Sequence, residues 1–167
     1  MNEKDLNILK NKINLVSNIV SRYKETSKIN KDELYENLCD CLGWFEINKK
    51  HFMNGNDYLD SDNILSNDDK KILSALTYIN NKKKHSKDII VFENITKNLY
   101  PSEDLYPSKN LFPSANDVYW STLIPKDNKY INQYNNYIKY IANNTVISIL
   151  NKVYSILENY YNHYYNK

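Results

Sequence analysis

Chemistry in this sequence could rest on three histidines, two cysteines and one short polar run, Asn80-Asn81-Lys82-Lys83-Lys84-His85. Helical spacing predicts Thr77, Asn81, Lys84, His85 and Asp88 on one side of a helix. Ile72, Leu76 and Ile79 fall on the other, so His85 is expected to face away from the apolar stripe. Three ammonium groups beside an imidazole make a positive patch at a helix C-terminus, where the backbone dipole favours cations. The same groups suit a phosphate site. The lysines and the two asparagines would hold an RNA backbone, and His85, as the candidate catalytic residue, would move a proton from a ribose hydroxyl.

Other chemistries lack their residues. There is no His-Glu-x-x-His, so a zincin is excluded. Asp57, Asp60, Asp62, Asp68 and Asp69 crowd one stretch without the order or the late glutamate of an EF-hand. A solvated acidic loop is the expectation there, and no metal is assigned. Gly43 and Gly55 are the only glycines. That rules out a Walker loop and a Rossmann fingerprint, and no cofactor, nucleotide or other, is expected. Cys39 and Cys41 stand two apart on a predicted helix, pointing in different directions. Neither a disulfide between them nor a cysteine-based zinc site follows.

The elements that would carry these residues are mostly helical. Leu6, Leu9, Ile13, Val16, Val20 and Tyr23 recur at steps of three and four, predicting a helix over 4–26. Residues 31–52 form a second, with the stripe Leu34, Leu38, Leu42 (or Cys41), Phe45 and Phe52. Asp32 and Glu33 lie in its first turn, and residues 54–63 read as a loop by turn chemistry. Ser66 and Asp69 predict a capping box opening the third helix, which His85 closes. Residues 89–95 and 117–124 are β-branched and aromatic and read as a hairpin. A fourth helix over 128–142 carries Ile131, Tyr134, Ile138 and Ile141. A fifth, capped by Asn143 or Asn144, carries Val146 through Tyr164, with His163 in a frayed tail. The fold class is therefore mainly α: a single domain spanning 1–167, a bundle of about five helices with a small β-hairpin and loop insertion at about 89–124.

That insertion contains a hexapeptide repeat over 99–116. Leu99-Tyr100-Pro101-Ser102, Leu105-Tyr106-Pro107-Ser108 and Leu111-Phe112-Pro113-Ser114 are three copies of one pattern. An expansion in a tolerant loop is the plainer reading. A docking arm displaying Tyr100, Tyr106 and Phe112 is the functional one.

Asn, Lys, Ile and Tyr make up 83 of 167 residues, a skew that A/T-rich codons explain. Net charge is +2 and Arg22 is the only arginine, which argues against a DNA-coating protein. The opening residues read as amphipathic rather than as a signal peptide. No aliphatic run approaches the roughly 20 residues of a membrane span. The expectation is a cytoplasmic protein with no membrane association.

The stretch Ala75-Leu76-Thr77-Tyr78-Ile79-Asn80-Asn81-Lys82-Lys83-Lys84-His85-Ser86 resembles a segment of HEPN-fold proteins, helical bundles of bacterial toxins, abortive-infection systems and CRISPR effectors. Their signature is an arginine, often a polar residue, three to five further residues and a histidine. Active members are metal-independent ribonucleases, often dimers that bring two motifs together. Here His85 matches the histidine and Asn81 the polar residue, while Asn80 stands at the arginine position. An amide lacks the fixed charge that a guanidinium presents to a scissile phosphate. The Asn-Asn-x-x-Lys-His run, with a strand region and a late helix after it and Gln133-Tyr134-x-x-Tyr137, is also similar to proteins of low-GC Gram-positive bacteria and their phages. The resemblance implies a catalytically degenerate HEPN-like protein that binds a protein or RNA partner in phage–host conflict, as defence or anti-defence. A homodimer through aromatic faces is compatible with it. Two further readings remain: a metal-independent endoribonuclease using His85, and a phage-encoded inhibitor of a bacterial defence complex. On balance the sequence favours a non-enzyme.

Overall fold

The computed structural model describes residues 3–54, 57–83, 88–94 and 116–165. Five α-helices lie among them: α1 (Glu3–Thr26), α2 (Lys31–Lys50), α3 (Asn67–Lys82), α4 (Ile131–Tyr140) and α5 (Val146–Tyr165). Two short hairpins complete the description. β1 (Met53–Asn54) pairs with β2 (Asp57–Tyr58), and β3 (Ile90–Asn94) pairs with β4 (Asn116–Trp120), both antiparallel. The mainly α bundle with a small hairpin between its third and fourth helices is what the periodicity predicts. The β1–β2 hairpin, in a stretch read as loop, is additional.

Capping fixes where the helices begin. Asn30 accepts from the Glu33 amide at the start of α2. Ser66 and Asp69 exchange side-chain and backbone bonds in a complete capping box at α3. At α5 the cap is Thr145, whose hydroxyl accepts from the Ser148 amide, rather than Asn143 or Asn144. Asn143 instead takes a left-handed turn at φ 63° and donates its amide to the Trp120 carbonyl. That turn binds the end of β4 to the start of α5. The tail is helical through Tyr165, and His163 is paired rather than frayed, its Nε2 lying 2.7 Å from Asp62.

The core is one cluster fed by every helix. α1 packs on α2, α5 and β4, while α3 packs on α2, α4 and α5. Leu34, Leu38, Leu42, Leu76, Tyr137 and Leu157 have no exposed surface, and Trp120 closes the hairpin side. On α4 the predicted stripe is rolled. Tyr137 and Ile141 are buried, while Ile131 and Tyr134 are half-buried and Ile138 is exposed. The cause is polar: the buried Tyr137 hydroxyl donates to the Ser121 carbonyl, which fixes the helix about its own axis. Among the described residues no helix is long and apolar enough to cross a membrane.

Candidate functional site

The polar run falls at the end of α3, which stops at Lys82 with Lys83 as its cap. Asp88 lies in the turn before β3, so it does not share a helix face with Thr77 and Asn81. Lys84, His85, Tyr100, Tyr106 and Phe112 lie outside the described residues. The other members of the run can be followed atom by atom.

Lys82 reaches sideways to the loop before α4, placing Nζ 2.8 Å from Asp127 and 5.3 Å from the centre of the Tyr78 ring. The hydrogen bond from Lys82 holds the Asp127 carboxyl below its ordinary range and lifts the lysine above its own. Lys83 turns the other way, and its Nζ donates to the Cys39 carbonyl on α2 at 2.6 Å. The Tyr35 hydroxyl donates to the Lys83 carbonyl, so α2 grips this residue at both its ends. A Cβ on Gly43 would stand 3.8 Å from the Lys83 ammonium. Asn81 is exposed, whereas Asn80 is half-buried and its Oδ1 has no partner among the described residues. The run therefore splits: Lys82 and Lys83 tie α3 to its neighbours, and only Asn81 of these four is exposed to solvent.

The thiols nearby are quiet. Burial pushes Cys39 up, against the lowering effects of Tyr35 and Lys83, and pushes Cys41 up to about 12. Thiols so shifted stay protonated and poorly nucleophilic at neutral pH. Arg22 is bound 3.3 Å from Glu33 across α1 and α2. An open cleft of about 340 Å³ beside it is floored by Ile19 and Ile29, and no α3 residue lines it. His51 caps α2 with Nε2 3.5 Å from Asp5. The acidic stretch is used structurally: Asp60 accepts from the Ile64 and Leu65 amides and pairs with Lys70 at 3.0 Å.

Sequence patterning missed a buried polar group on the seam between α2 and α3. Lys49, 7% exposed, donates to the Thr77 hydroxyl and lies 3.7 Å from Glu46. Thr77 therefore faces α2, not solvent, and its own hydroxyl donates to the Leu73 carbonyl at 3.1 Å. Burial lowers the Lys49 pKa, partly opposed by Glu46. Burial and Glu46 together push Tyr58 up to about 12. A signal was present: Lys49 follows Leu38, Leu42 and Phe45 at helical steps, occupying a stripe position with a charged residue.

These arrangements do not add up to a phosphate grip on the described residues. Two of the three lysines are engaged by protein groups, Lys82 by Asp127 and Lys83 by the Cys39 carbonyl. Compared with protein-family models, curated proteins and solved structures, the chain matches none.

Proposed function

We propose that the chain is a non-catalytic helical module that works by binding another protein. The observation carrying this reading is the engagement of Lys82 and Lys83 by Asp127 and the Cys39 carbonyl. A lysine already held by a carboxylate or a carbonyl of the protein is a poorer partner for RNA phosphates. Asn80 at the position of the signature arginine and the commitment of Arg22 to Glu33 point the same way. The resemblance to HEPN-like proteins then adds a setting, phage–host conflict, in which a degenerate member recognises a partner instead of cutting RNA.

Two measurements test this. Purified wild type and His85→Ala are incubated with total RNA, and both are expected to leave it intact. Cleavage by wild type that His85→Ala abolishes would replace this reading with the ribonuclease one. Affinity capture from expressing cells, with sedimentation of the purified chain, is expected to yield a protein partner or a self-complex. Recovery of neither would remove the binding reading.

A further inference from the structure

The roll of α4 that buries Tyr137 leaves apolar surface without a cover. Leu123, in the loop that leads to α4, is 79% exposed, Ile138 is 41% exposed and Tyr130 is 38% exposed. The loop and the helix share one anchor. The Tyr78 hydroxyl donates to the Pro125 carbonyl at 2.6 Å, and the Tyr78 ring meets Tyr134 edge-on at 5.8 Å. Leu123 lies two residues from one contact and Ile138 one helical turn from the other, which ties both to the part of the bundle around Tyr78.

Lysines outnumber carboxylates around them, with Asp127 near Lys129 and Asp68 near Lys139. Lys126, Lys129 and Lys139 are exposed, and none is in an ion pair among the described residues. Lys129 and Lys139 instead rest over the Tyr130 and Tyr140 rings, at 5.2 and 4.9 Å. The only carboxylate of this stretch, Asp127, is held by Lys82. No Asp or Glu then occurs until Glu158. Exposed aliphatic groups with a lysine rim have the make-up of a docking surface.

We infer that this loop-and-α4 surface docks an acidic amphipathic helix of a partner protein, an inference that rests on the protein-binding function proposed above. Such a helix would set its apolar stripe on Leu123, Tyr130 and Ile138 and its carboxylates among the three lysines. RNA fits less well. A phosphate backbone leaves Leu123 and Ile138 without a partner, and the surface has no arginine for bidentate contacts. An anionic membrane fits less well too. Three lysines contribute about 1 kcal/mol each at such a surface, and the nearby Trp120 is buried and cannot anchor them.

The test uses the full chain and a fluorescent amphipathic helix built of Leu and Glu. Binding that weakens with added salt is expected. It should drop about tenfold or more in Ile138→Asp and in the triple variant Lys126→Glu/Lys129→Glu/Lys139→Glu, with circular dichroism unchanged. A helix in which Lys replaces Glu should not bind. Undiminished binding by the triple variant, or preference for phosphatidylglycerol vesicles or poly(U) over the Leu–Glu helix, would overturn the inference. A captured cellular partner that the triple variant retains fully would overturn this surface while leaving the proposed function standing. Loss of any partner from the wild-type chain would remove both.

Discussion

Two groups of lysines in this chain behave in opposite ways. Lys82 and Lys83 sit in the densest basic run of the sequence, and both turn inward onto neighbouring elements. Lys126, Lys129 and Lys139 are scattered through an Asn- and Tyr-rich stretch that draws no attention in sequence, and all three point outward. Charge density along a chain is thus a poor guide to charge presented at a surface. What decides is whether a carboxylate or carbonyl stands within reach, and the third dimension sets that.

The contrast can be broken by substitution. The largest effect is expected beneath α3. Leu76→Ala, at a site with no exposure, should lower the unfolding free energy by about 2–5 kcal/mol in urea titration. Ile138→Ala on the outward face should change it by no more than about 0.5 kcal/mol. Comparable losses would mean that the outward face is covered in solution. Tyr137→Phe comes next, because it leaves the Ser121 carbonyl buried without its donor. A loss of about 1–3 kcal/mol is expected from thermal unfolding.

Lys82→Ala should cost no more than about 1 kcal/mol, as expected for a partly exposed ion pair. Charge reversal at Lys126, Lys129 and Lys139 should cost less still. If that reversal proved more damaging than Lys82→Ala, the assignment of inward and outward lysines would be wrong.

Alkaline titration sharpens the distinction between buried and presented groups. Burial pushes Tyr35, Tyr154 and Tyr160 up to about 12. A folded-state value above the unfolded one means that the native state holds its protons longer. The associated stability is present below the ordinary tyrosine value of 10.0 and is lost as pH rises from there towards 12. Lys49 acts in the opposite sense. Its folded value is lowered, so its contribution improves as pH climbs through that value towards the ordinary 10.5. Urea midpoints should therefore fall as pH rises above 10, whereas between the lowered Lys49 value and 10.5 the wild type should gain relative to Lys49→Met, which lacks that contribution. A wild-type and variant pair with identical slopes would show that Lys49 is not buried as described.

Much of the fold is legible in the sequence because apolar spacing carries it. The stripes of α1, α2 and α5 and the capping box at Ser66 all stand where the periodicity places them. The hairpin of β3 and β4 follows from β-branched and aromatic composition. What is not legible depends on polar contacts between segments far apart in the chain. The roll of α4 follows from one bond between Tyr137 and Ser121, which no periodicity encodes. The fate of Lys82 and Lys83 depends on Asp127 and Cys39, more than 40 residues away in both cases. Thr77 reads as outward by helical angle, yet Lys49 on another helix claims it.

The β3–β4 ladder ends with Asn94 facing Asn116, and the Asn116 amide donates to the Ser27 hydroxyl at 2.7 Å. The two strands flanking residues 95–115 are therefore paired at their ends, and that end is tied to the α1–α2 turn. The hexapeptide repeat of the sequence falls between those two strands. Closing a connection of twice the length costs only about 0.6 kcal/mol more. Variants of this chain with one copy of the hexapeptide or with six are accordingly expected to share its melting behaviour.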